Sequence, residues 1–145
     1  MEKHYRYSDE IYEQKFRDCK FPPLYFSHEA HLRLAYIHLK KYGLEQSIDN
    51  MCKQIYDFAM KYGATTKFNA TVTYASLQIM YHYMKESESN SFPDFIKEFP
   101  SLLKDFKGEI EKHYSWDVFR SLEAKAKIIQ PDLKPFKMVF NFKTK

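Results

Sequence analysis

Apolar positions along this chain recur at three- and four-residue spacing, the period of an α-helix. The clearest run places Ile48, Met51, Cys52, Ile55, Phe58, Ala59 and Tyr62 on one face, and Gly63 stops it. Ahead of it the pattern predicts a helix from Ser27 to about Tyr42. Ser27 suits its N-cap, Glu29 its first turn and Gly43 the residue just past its end. A third long helix is predicted from about Lys67 to Lys85. Shorter helices surround these three. Ser8-Asp9-Glu10 opens one that carries Ile11, Tyr12 and Phe16, and Phe21-Pro22-Pro23 ends it. Ser91 with Asp94 three residues on forms a capping-box pattern ahead of Phe95, Ile96 and Phe99. Pro100 starts another helix through Leu102, Leu103, Phe106, Ile110 and Tyr114. Ser115 and Ser121 resemble N-caps of two further short helices near 116–120 and 122–129. Beyond Pro131 and Pro135, Met138 to Phe142 alternates like a strand. The pattern therefore predicts an all-α, single-domain helical bundle of about five to seven helices. An N-terminal arm with a short helix spans 1–24, a helical core 25–130 and an extended C-terminal arm 131–145.

Composition narrows the picture. The chain has 145 residues, 44% hydrophobic and 18% aromatic, so it can bury a real core and is not disordered. Only three glycines argue against a turn-rich β-sandwich or a glycine-loop nucleotide fold. The net charge of +4 is mild, and only Arg6, Arg17, Arg33 and Arg120 are arginines, which argues against a nucleic-acid footprint. The basic C-terminal lysines, Lys134, Lys137, Lys143 and Lys145, read as a solvated tail or, failing that, a weak anion or nucleic-acid contact. Cys19 and Cys52 form no Cys-x-x-Cys motif. No signal peptide and no membrane span is read from the chain, which gives a cytoplasmic expectation with both thiols reduced.

On the helix after Ser27, the wheel sets His28 at zero, His31 near about −60° and His38 near about −80°. Ala35, Leu39, Leu32 and Tyr36 share that side, whereas Glu29, Arg33, Lys40 and Lys41 fall opposite. Three imidazoles are thus expected to face inward, away from water. Such groups need partners. These are either backbone carbonyls and tyrosine hydroxyls, or the contents of a polar pocket. On the third long helix, Asn69, Thr73 and Ser76 form one row within an apolar face. Thr73 and Ser76 there either bond back to the carbonyl four residues earlier or line the same pocket. Both rows begin at helix N-termini, where free N–H groups favour an anion. They meet only if the two helices run roughly parallel.

These residues also carry a resemblance. Phe26-Ser-His-Glu-Ala-His-Leu-Arg-Leu-Ala-Tyr36, Lys67-Phe-Asn-Ala-Thr-Val-Thr73, His113-Tyr-Ser115, Ala124-Lys-Ala126 and Pro131-Asp-Leu-Lys-Pro-Phe136 are similar to a family of small, uncharacterised bacterial helical proteins, nearest a Bacteroidetes-like subgroup. The likeness covers roughly residues 25–136. It implies a cytoplasmic bacterial protein of one helical domain and implies no reaction. Many relatives read Tyr-His-Glu-Thr where this chain reads Phe68-Asn69-Ala70-Thr71, so a third histidine and a carboxylate of the family pattern are missing here. Arg33, Thr71, Thr73 and Asp132 match that pattern without a role attached.

Two functions follow as expectations. The first is an inward-facing polar pocket for a small molecule, with an anion favoured. Its ligand-binding candidates are His28, His31, Asn69, Thr73 and Ser76. His28 or His31 would be the acid–base group if there is a reaction. The second is a protein-interaction or structural module without catalytic activity, engaging a protein partner or a second copy through exposed aromatics. No cofactor and no tightly bound metal are expected. His28 and His31 supply two ligands where zinc takes at least three, and His38 lies ~15 Å along the axis. A membrane partner is not expected.

Overall fold

The computed structural model describes residues 1–136, so the alternating Met138–Phe142 stretch lies outside the described residues. Among the described residues the fold is all-α, without a strand. Its helices are α1 (Asp9–Arg17), α2 (His28–Tyr42), α3 (Leu44–Lys61), α4 (Ala70–Glu86), α5 (Phe92–Glu98), α6 (Ser101–Lys104), α7 (Phe106–Glu111) and α8 (Leu122–Ala126). Single 3₁₀ turns cover Lys3–Arg6, Pro23–Tyr25 and Thr65–Lys67. No helix among the described residues is long and apolar enough to cross a membrane.

Local chemistry sets the helix starts. The hydroxyls of Ser8, Ser27, Ser91 and Ser121 each accept from the N–H three residues on, as N-caps do. Several boundaries differ from the sequence expectation, among them α8, which ends at Ala126 and not near 129. The helix α1 stops at Arg17, ahead of the prolines, because Cys19 adopts a left-handed φ of 57°. There the N–H groups of Lys20 and Phe21 both reach back to the Lys15 carbonyl. The helix expected from Pro100 to Tyr114 breaks at Asp105, whose carboxylate caps a new start by accepting from Gly108 N–H. Residues 116–120 form turns instead of a helix. Asp117 Oδ1 accepts from the N–H groups of Phe119 and Arg120, and Ser115 donates its hydroxyl to Asp132 instead of capping.

The helix α4 is the centre, packed against α2, α3, α7 and α8. Ala75, Leu77 and Met80 are fully buried there. The segment expected as an N-terminal arm is core. Tyr12, Phe16 and Phe21 are fully buried, and Phe16 stacks on Phe58 of α3 at 4.6 Å between ring centres. This changes α2. Arg33, expected on the solvent side, is buried, because residues 1–9 cover that side. Its guanidinium donates to the carbonyls of His4 and Tyr7, both at 2.7 Å, and to Asp9.

At the other end, Thr71 accepts from Ile129 N–H and donates to the Lys127 carbonyl. Asp132 accepts from Ser115 N–H. Phe136 is buried against Tyr74 and His113, so the described part of the C-terminal arm packs on the bundle. Leu133, the other expected anchor, stays 58% exposed. Arg33 thus ties the N-terminal segment to the core, Thr71 ties residues 127–129 to α4, and Asp132 ties its segment to Ser115.

Candidate functional site

The N-terminal ends of α2 and α4 meet at a cavity of about 540 Å³. All five candidate residues line it: His28 and His31 from α2, and Asn69, Thr73 and Ser76 at the start of α4. Met51 and Ile55 of α3 supply part of the apolar wall, with Leu103, Phe106 and Phe119 closing the far side. The volume suits a small organic ligand, for which pockets run ~300–1,000 Å³.

The histidines differ from the wheel's expectation. His28 is exposed, His31 is half-buried, and only His38 is fully buried. His28 is the first residue of α2, so its ring hangs at the cavity mouth beyond the packed turns. His28 Nε2 donates to the Leu102 carbonyl at 3.0 Å, and the ring lies 5.2 Å from that of Phe106. His31 Nδ1 donates to the Ser27 carbonyl at 3.0 Å, and its ring stacks on Phe26 at 3.6 Å. A carbonyl only accepts, so each contact assigns the ring proton. In the neutral rings this leaves Nδ1 of His28 and Nε2 of His31 as acceptors. Burial pushes His31 down to about 4, so it is neutral near pH 7. His38 lies outside the cavity, facing Asn50 of α3 with Nδ1 3.5 Å from Nδ2.

The α4 row is also partly spent on structure. The helix begins at Ala70 and not near Lys67, so Asn69 is its N-cap. Asn69 Oδ1 accepts from Val72 N–H at 2.9 Å, and Nδ2 donates to the Val118 carbonyl at 2.7 Å. Thr73 donates to the Asn69 carbonyl, the back-bond that needs no ligand. Ser76 makes no side-chain hydrogen bond to another described residue.

Lys67 and Lys107 also line the cavity, and no Asp or Glu does. Both lysines are exposed at its mouth. Lys67 precedes the Phe68-Asn69 motif directly, a signal that sequence reading could have used. Lys107 arrives only through the α6–α7 break. The rim is therefore cationic and the interior apolar with a few hydroxyls and imidazoles.

No family model matches the chain, and no curated protein or solved structure matches it.

Proposed function

We propose that the protein binds a small amphipathic carboxylate in the α2–α4 cavity. The observation that carries this reading is the lining: apolar walls, Lys67 and Lys107 at the mouth, and no acidic side chain. The apolar body of the ligand fills the space between α3, α4 and Phe106, and its carboxylate meets the lysines. His31 Nε2 and the Ser76 hydroxyl are the polar groups left for a second polar atom of the ligand. No reaction is assigned. A bacterial source rests on the sequence resemblance, and a cytoplasmic setting on that resemblance and on the absence of a signal-peptide pattern in the sequence.

The test is calorimetric titration with decanoate and, separately, with decanol. Decanoate binds the wild-type protein, and decanol binds more weakly because it lacks the charge. Ser76→Trp fills the cavity and abolishes decanoate binding while the circular dichroism spectrum is retained. Absence of decanoate binding, or binding unchanged by Ser76→Trp, removes this reading.

A second reading, a protein-interaction module without catalytic activity, draws on two observations. Both cavity histidines commit one ring nitrogen to a backbone carbonyl. Tyr56, Met60 and Tyr62 stand 45%, 51% and 40% exposed along one stretch of chain. A native mass above the monomer that falls to the monomer on Met60→Lys supports it.

A further inference from the structure

On the opposite side of α2, away from the cavity, the turn at Lys3–Arg6 lays Glu2 and His4 over the first turn of the helix. Glu2, His4 and Glu29 there each present one ligand atom, all within 4.8 Å of one another. His4 is fully buried, and its Nε2 has no hydrogen-bond partner. That nitrogen is aimed into the group, 3.2 Å from Glu2 Oε1, at an angle that makes no hydrogen bond. A buried nitrogen without a partner is costly. Its presence asks what it holds.

The charges ask the same question. Among the described residues, no lysine or arginine lies within ion-pair distance of Glu2 or Glu29. Arg33, the nearest guanidinium to His4, is engaged by Asp9 and by the His4 and Tyr7 carbonyls. Two carboxylates therefore converge on an imidazole with no fixed cation between them. Each carboxylate is also steered. The Ser27 hydroxyl donates to Glu2 Oε1, and the Tyr5 hydroxyl donates to Glu29 Oε2 at 2.7 Å. Oriented carboxylates with one oxygen left over are the arrangement that outer hydrogen bonds give metal ligands.

We propose that Glu2, His4 and Glu29 form a divalent-cation site that fastens the N-terminal segment to α2. One imidazole with two carboxylates suits zinc or manganese better than calcium or magnesium, which prefer oxygen alone. Donors around a single zinc lie within ~4 Å of one another, so the exposed Glu2 side chain turns slightly inward to complete the set. Binding needs the Nε2 lone pair. The ring proton then sits on Nδ1, and the long 3.4 Å contact from Arg33 Nη1 to Nδ1 is given up, while the shorter Arg33 bonds stay. An open cleft of about 430 Å³ borders Glu2 and Glu29, so water completes the coordination from that side. This runs against the expectation that the chain holds no tightly bound metal, whose ligand count never included Glu2, His4 and Glu29.

The full chain, stripped with chelator, is titrated with zinc alone and with manganese alone by calorimetry. One equivalent binds the wild type. Loss of an outer-shell partner weakens metal sites about 10–100-fold, so removing a ligand in Glu29→Gln or Glu2→Gln weakens binding by at least about tenfold. The double variant His28→Ala/His31→Ala keeps wild-type affinity. Hydrogen exchange across residues 3–17 slows with zinc in the wild type and not in Glu29→Gln, which circular dichroism shows to be folded. No saturable binding of either ion overturns the proposal. So does binding that survives Glu29→Gln but is lost in the His28/His31 double variant.

Discussion

Arg33 reaches across 24 residues of sequence to Asp9, with Nη2 2.9 Å and Nε 3.3 Å from the same carboxylate oxygen. The guanidinium is almost wholly buried, and the rings of Tyr5 and Tyr12 lie 5.3 and 5.0 Å from it. Asp9 also sits in the first turn of α1, so one ion pair joins α1, α2 and the Lys3–Arg6 turn. A planar five-donor group is needed here because four separate bonds leave it in fixed directions.

Replacing Arg33 by Met leaves the carbonyls of His4 and Tyr7 and the Asp9 carboxylate without their donor. Asp9 is 66% exposed and stays solvated, so the cost is that of the two carbonyls left without a donor, about 1–3 kcal/mol for each. Arg33→Met is expected to lose that much, and Arg33→Lys to recover little of it. Urea unfolding followed by tryptophan fluorescence gives both values. An Arg33→Met midpoint equal to wild type would show the clasp to be dispensable.

Thr71 holds the C-terminal segment with one hydroxyl that donates to Lys127 and accepts from Ile129. Thr71→Val keeps the shape but orphans both backbone groups, at a cost of about 1–3 kcal/mol. The segment should then be cut early by trypsin after Lys127, while the wild type resists. Equal cleavage rates in the two proteins would place the anchoring elsewhere, on Phe136 or Asp132.

Acid should weaken the fold before the carboxylates titrate. Burial holds His31 neutral down to about 4, with the Ser27 carbonyl acting in the opposite sense and His28 adding to the lowering. In the unfolded chain a histidine titrates near about 6.5. Between these values the unfolded state carries a proton that the native state refuses. The contribution is therefore complete above about pH 6.5, falls as pH drops toward about 4, and reaches at most about 3 kcal/mol. His38 shifts in the same direction through burial, with Glu13 opposing. His31→Phe keeps a ring against Phe26 and removes the titration. Urea midpoints at pH 7, 5.5 and 4.5 should spread less in that variant than in the wild type, the remaining spread coming from His38 and His4.

The Cys52 thiol is pushed up to about 11, by burial first and then by Asp49. The thiolate is the reactive form. At pH 8 iodoacetamide should label Cys52 in the native protein far more slowly than in urea, read by mass spectrometry of tryptic peptides. Equal rates would mean that the α3 face carrying Cys52 is open to solvent.

Much of the secondary structure was legible because its causes are local. A serine before an apolar run is an N-cap whatever packs on it later, and Ser8, Ser27, Ser91 and Ser121 all serve as such. Gly43 and Gly63 adopt the positive φ that the helix ends require. The misplaced ends have different chemistry. Cys19 takes a left-handed conformation that glycine usually fills, and Asp105 interrupts a continuous apolar pattern by capping its own downstream turn. Neither leaves a mark in periodicity.

The sequence by itself determined the all-α class, the three long helices and the inward-turned rows of His31, Thr73 and Ser76, because helical spacing alone places residues on a face. Which face becomes buried was decided only in three dimensions. Arg33 falls on the polar side of its wheel, yet lies in the core, since residues distant in sequence close over it. His28 falls on the apolar side, yet stands exposed, since it is the first residue of its helix and is touched from the side by Leu102 and Phe106. The meeting of α2 and α4 at one cavity, with Lys107 at its mouth, depends on how the helices pack. So does the approach of Glu2 and His4 to Glu29. Spacing along one helix fixes angles about its own axis, and it carries no information about what another segment brings to that side.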